Sequence, residues 1–146
     1  MPGRIYSVGY EGMEVQGLIE ALAASRVTLV IDVRLNPISR KPGWSKKSLE
    51  AALAKTGIDY KHEKALGNPP ENRDSFRRGD GEEGRRRMRE MLSNGSSEAL
   101  QRLVDQASDH RVAVLCVERG ALQCHRQVIT DMARELDPNI EVHQVL

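Results

Sequence analysis

Apolar positions along this chain switch repeatedly between two spacings. RIYSV, residues 4 to 8, is a short β-rich run that stops at Gly9, after which Val15, Leu18, Ile19 and Leu22 recur at the interval of one helical face. TLVIDV, residues 28 to 33, is continuous and apolar, the pattern of a strand buried on both sides. Together they predict a βαβ unit. A second helix is predicted after Ser45, an N-cap residue: Trp44 can staple onto Leu49, while Leu49, Ala52 and Leu53 share a face up to the stop at Gly57. A short strand around Asp59 to His62 follows.

The segment from 67 to about 87 breaks this rhythm. GNPPENRDSFRRGDGEE, residues 67 to 83, offers almost nothing to bury and much that favours turns, so it reads as a long polar, arginine-rich excursion. Met88, Met91 and Leu92 then mark a short helix ended by Asn94 and Gly95, and Leu100, Leu103, Val104 and Ala107 mark another after Ser96 and Ser97. VAVLC, 112 to 116, is a second buried strand. Val128, Ile129, Met132, Ala133 and Leu136 line one side of a last helix, and EVHQV, 141 to 145, reads as a final strand.

Five strands alternating with helices predict a single α/β domain over residues 1–146, a three-layer Rossmann-like fold with a mostly parallel five-stranded sheet and helices on both faces. Such sheets bind ligands beyond the carboxyl ends of their strands, where strand order reverses. The polar stretches SVGYEG, DVRLNPISRKPG and CVERGALQCHR each follow a strand, so one crevice can collect them.

Composition narrows the classes. The 146 residues suffice for one core but not two. With 22 Lys+Arg against 21 Asp+Glu, the balance demands neither a nucleic-acid nor a membrane partner. No leader-like apolar segment and no membrane-length run occurs, and two cysteines cannot make a disulfide framework, so a soluble cytoplasmic protein with free thiols is expected.

The candidate chemistry sits where the fourth strand hands over to the last helix. Arg126 in the first helical turn, with Gly120 in the loop before it, can hold a phosphate or carboxylate; the bland alternative is a bridge to Asp32 or Glu118. Asp32 and Glu118 can place two carboxylates in one crevice as proton-transfer groups, with Arg34 and Arg40 as cationic counterweights. Cys116 reads as core. Cys124, beside His125 and Arg126, can be a thiolate nucleophile, although the tight loop and arginine spacing of rhodaneses and cysteine phosphatases are missing. Cys116, Cys124 and His125 could supply three metal ligands, yet short C-x-x-C pairs are absent and no metal is expected.

Gly9 and Tyr10 in GYEG, IDVR followed by NPISR, GIDYKHEKALGN, LCVE, and CHR at the start of the last helix occur in one order from about residue 5 to about 144. This set resembles the bacterial and archaeal domain-of-unknown-function family 488. The resemblance implies the fold and a site at these strand ends, and carries no reaction with it.

Two functional classes follow. One is a hydrolase or transferase acting on an anionic, phosphorylated or nucleotide-like small molecule, with Gly9, Tyr10, Arg34, Arg40, His125 and Arg126 as binding residues and Glu118, Asp32 and Cys124 as catalytic ones. The other is a non-catalytic ligand sensor or nucleic-acid accessory module that uses the arginine-rich segment. From Glu71 to Met91 seven arginines face six acids, and the chain has one Trp, one Phe and three Tyr to stack bases, which favours a salt-bridged face or a lid over a nucleic-acid tract. Cofactor and oligomeric state are not legible.

Overall fold

The computed structural model describes residues 3–118 and 124–145. Five strands, β1 (Arg4–Gly9), β2 (Leu29–Asp32), β3 (Asp59–His62), β4 (Arg111–Cys116) and β5 (Glu141–Val145), form one sheet in the order β3-β2-β4-β1-β5, with every pairing parallel. The three central strands are buried nearly throughout, as their unbroken apolar runs require, whereas β3 and β5 alternate toward solvent as edge strands do.

Six α-helices occur among the described residues: α1 (Val15–Ala24), α2 (Lys46–Ala54), α3 (Pro70–Arg77), α4 (Gly81–Asn94), α5 (Ser97–Asp109) and α6 (Arg126–Leu136). Leu18, Ile19 and Leu22 of α1, Leu49 and Leu53 of α2, and Trp44 cover Val8, Val30, Ala113 and Leu115 on one face of the sheet. Met88 and Leu92 of α4, Leu100 and Leu103 of α5, and Val128 and Ile129 of α6 cover Ile5, Ile31, Val112 and Val114 on the other. The expected three-layer α/β architecture is therefore present. Because β1 and β4 are neighbours while α1 and α6 leave them toward opposite faces, strand order reverses between these two strands.

Two local expectations need correction. The polar excursion is mostly helical rather than a loop: α3 and α4 account for residues 70–77 and 81–94, and α4 begins seven residues before the first apolar position, Met88. Its start is set by polar chemistry, with Asp80 Oδ1 accepting from the Glu83 N–H at 3.2 Å. Gly84 lets the two helices touch, since a Cβ there would lie 2.6 Å from the Phe76 ring. Ser45 does occupy the N-cap of α2, but its hydroxyl makes no cap hydrogen bond and instead accepts from Ser39 N–H at 3.0 Å, tying down the loop after β2.

Candidate functional site

The tails of β2, β4 and β1 lie side by side, and the chain continues their pairing for a residue or two. Gly9 pairs with Cys116, Tyr10 N–H donates to the Cys116 carbonyl at 3.0 Å, and Val33 N–H donates to the Leu115 carbonyl at 3.1 Å. Beyond that the tails diverge around a cleft of about 890 Å³, a size that suits a small-molecule ligand. Tyr10 comes from the β1 tail, Arg34, Leu35, Asn36 and Ile38 from the β2 tail, and Cys116, Val117 and Glu118 from the β4 tail. Cys124 and His125, just before α6, complete the floor. The outer wall is Asn68 together with Arg73, Phe76 and Arg77 of α3 and Glu82 and Arg85 of α4.

On the floor, the His125 Nε2 lies 2.9 Å from the Val33 carbonyl. A carbonyl can only accept, so Nε2 carries the proton and Nδ1 faces the thiols. Nδ1 is 3.4 Å from Cys124 Sγ and 3.8 Å from Cys116 Sγ, and Cys116 Sγ is 3.4 Å from Glu118 Oε2. Both thiols and the imidazole are buried. Burial opposes a Cys124 thiolate, but the Cys116 S–H, the His125 imidazole and the Arg126 charge outweigh it and hold Cys124 well below the ordinary thiol value. Cys116 is pushed up by its hydrogen bond to Cys124 and by burial, so Cys116 stays a thiol. Burial would lower the His125 pKa, and the charge of Cys124 raises it instead; burial and the same charge raise Glu118.

Asp32 does not line the cleft. Its carboxylate is wholly buried and engaged: it accepts from Arg34 N–H at 3.0 Å, from Arg34 Nε at 2.9 and 3.1 Å, from Arg34 Nη2 at 2.6 Å and from the Tyr60 hydroxyl at 2.5 Å. Arg34 spends its other nitrogen, Nη1, on the Trp44 carbonyl at 2.7 Å and the Tyr10 hydroxyl at 3.3 Å. Tyr10 stacks on Trp44 with centroids 4.1 Å apart, and the Arg34 guanidinium sits 5.4 Å from the Tyr10 ring centre. Burial would lower the Arg34 pKa, but Asp32 raises it, while burial and Asp32 both raise that of Tyr60. The geometry is that of a frame holding the β2 and β1 tails.

Arg126 lies under the cleft rather than along it. Fully buried, it donates to Ser7 Oγ at 2.7 Å and to the Glu118 carbonyl, fastening the start of α6 to β1 and to the β4 tail. Gly9 is buried within β1, and Arg40 is exposed on the β2 loop; neither is among the cleft-lining residues. Arg119 and Gly120 fall outside the described residues. Of the expected site residues, the cleft therefore unites Tyr10, Arg34, Glu118, Cys124 and His125. Sequence reasoning missed Arg73, Phe76, Arg77 and Arg85 as wall residues. Their signal was present, since 73 and 77 share a helical face, but the reading of that stretch as turns concealed it.

Fold and cleft define an α/β protein with a parallel sheet and a ligand-sized opening at its strand-order reversal. The family model described as a domain of unknown function, DUF488, matches residues 14–133, and the chain belongs to this family. Neither a curated protein nor a solved structure matches it significantly. Among the described residues no helix is long and apolar enough to cross a membrane.

Proposed function

We propose that the protein is a cytoplasmic enzyme, a hydrolase or transferase, that binds a phosphorylated or nucleotide-like small molecule in the cleft. One observation carries the reading: arginines of α3 line the same opening as the Cys124, His125 and Glu118 floor. The Nε of Arg73 is buried and has no hydrogen-bond partner among the described residues. A buried guanidinium N–H without an acceptor is costly, and Arg73, which lines the cleft, offers its charge to an anionic oxygen there. Arg77, four residues on along α3, adds a second cation, and Phe76 offers an apolar ring face to a base or similar group. Glu118 handles protons, with its raised affinity for them as support.

The accessory reading draws less support, because Arg86, Arg87 and Arg89 of α4 are matched by acids. Arg86 pairs with Glu83 at 2.6 Å and Glu90 at 2.7 Å, Arg87 with Glu83 at 2.8 Å, and Arg89 with Glu135 at 2.7 Å. These pairs leave a face of mixed sign rather than a phosphate track.

The test is a thermal-shift screen with phosphorylated metabolites and nucleotides. A ligand at a hundred times its dissociation constant stabilises by about 2.7 kcal/mol, or about 5–11 °C for a chain of this size. The shift is expected to vanish in Arg73→Ala/Arg77→Ala and to persist in Glu118→Gln, which loses turnover alone. No shift with any such anion, or a shift indifferent to the double substitution, overturns the reading.

A further inference from the structure

We infer that Cys116, Cys124 and His125 form a binding site for a divalent transition metal of the zinc type, open on one side to the cleft. The Sγ atoms of the two cysteines and a ring nitrogen of His125 all lie within 4.8 Å of one another. Bonds of about 2.3 Å to sulfur and 2.0–2.1 Å to nitrogen in a tetrahedron put sulfur and nitrogen about 3.6 Å apart and two sulfurs about 3.8 Å apart. The measured Nδ1–Sγ separations of 3.4 and 3.8 Å bracket the first figure. The two sulfurs lie within 4.8 Å of each other, so an ion is seated once they approach by at most about 1 Å.

The second shell points the same way. Metal-bound imidazoles donate their other ring N–H to a carbonyl or carboxylate, which fixes the ring and frees the opposite nitrogen for the ion. His125 does so at 2.9 Å to the Val33 carbonyl, and the nitrogen left over is the one facing both thiols. Two thiolates and an imidazole are soft to borderline donors, suited to zinc and unsuited to magnesium or calcium.

Three protein ligands and an open position are the composition of catalytic zinc sites, whereas structural sites are closed by a fourth ligand. Glu118 Oε2 touches Cys116 Sγ at 3.4 Å, yet among the described residues Glu118 does not join the mutually close donors. Its carboxylate therefore adjoins one of the ligands rather than serving as one, and Cys116, Cys124, His125 and Glu118 all line the cleft. The C-x-x-C spacing rule is blind to such a site because its ligands come from a strand end and a helix start that meet only in the folded chain.

The inference rests on the thiol and imidazole cluster and is independent of the arginine-lined anion site, so the two can fail separately. The experiment uses the full chain, reduced and freed of metal by a chelator, titrated with Co²⁺ in the absence of any anion. Expected are visible ligand-field bands of a tetrahedral ion and a near-ultraviolet thiolate-to-cobalt band, saturating at one equivalent and erased by Zn²⁺. Cys116→Ser and Cys124→Ser each weaken binding by more than the roughly 10–100-fold that loss of a second-shell partner costs. Arg73→Ala/Arg77→Ala keeps the cobalt spectrum whether or not anion binding is lost. Absence of a thiolate band at one equivalent overturns the site, as does a spectrum unchanged in Cys116→Ser/Cys124→Ser. Should the double variant fail to fold, His125→Gln with unaltered cobalt binding would overturn it equally.

Discussion

Replacing Asp32 with asparagine separates a framework role from a chemical one. Asparagine keeps the shape and one acceptor oxygen but puts an NH₂ group where a second oxygen now receives the Arg34 Nη2 and the Tyr60 hydroxyl, at 2.6 and 2.5 Å. It also removes the carboxylate charge paired with a guanidinium whose side chain is only 4% exposed, against 0% for the Asp32 carboxylate. Breaking a buried pair by deleting one partner costs about 3–5 kcal/mol, because the remaining charge stays desolvated and uncompensated. Against a total stability of about 5–15 kcal/mol that is a large share, and at about 2–4 °C per kcal/mol it lowers the melting temperature by about 6–20 °C. Urea denaturation gives the free energy directly, with an unchanged m-value as the sign that the native state itself is intact. A loss under about 1 kcal/mol, the range of solvent-exposed pairs, would refute the reasoning. A variant that melts like the parent but is catalytically dead would move Asp32 from the frame into the chemistry.

Gly67 approaches the β2 tail so closely that an added Cβ would lie 2.7 Å from Leu35 Cα, a backbone atom that cannot rotate away; Gly67→Ala should cost about 1–3 kcal/mol of overpacking by the same denaturation assay, and an unchanged midpoint would contradict this. The carboxyl of Glu83 is drawn down from its ordinary 4.5 to about 2 by the hydrogen bonds of Arg86 and then Arg87. A depressed folded-state pKa gives stability that is fully present above the unfolded value and lost as pH falls through the folded one, so the melting temperature should decline between about pH 4.5 and 2 more steeply in the parent than in Glu83→Gln; parallel curves would contradict it.

Most of the fold was legible because its signals are local. The apolar runs of β2 and β4 and the helical spacing in α1, α5 and α6 name both the element and its buried face, and β3 and β5 were bounded within a residue. The site was legible only as far as topology reaches. Strand alternation places Tyr10, Arg34 and Glu118 at neighbouring tails, but it cannot say that Asp32 turns inward to Arg34 and Tyr60, since a residue at a strand end can face the frame or the opening. The wall was lost for a different reason. Helix α3 and the first turns of α4 carry few apolar residues, and they are tied together by Asn72 donating to Asn68 Oδ1 at 2.7 Å and to the Gly84 carbonyl at 3.0 Å, together with the Phe76 contact, while Met88 and Leu92 further along α4 reach the core. Side-chain hydrogen bonds between particular partners leave no periodic trace in a sequence.

The convergence on the floor has one physical source. Where neighbouring strands diverge, their last carbonyls run out of sheet partners while still wholly or partly buried, and each needs a donor. Val33 finds one in His125 Nε2, and Glu118 finds one in the guanidinium of Arg126. The donors must come from the next element to pass over the gap, which is the start of α6, so two carbonyls orphaned by the topology draw two adjacent side chains inward. Once His125 is held by Nε2, its Nδ1 has nowhere to point but toward Cys116 and Cys124. The orientation of the chemically capable nitrogen is thus a consequence of backbone hydrogen bonding at the strand-order reversal. It follows that His125→Gln, whose side-chain amide extends as far as Nε2 and can still donate to Val33, should keep a higher melting temperature than His125→Leu even though both remove the ring; equal melting temperatures would contradict this.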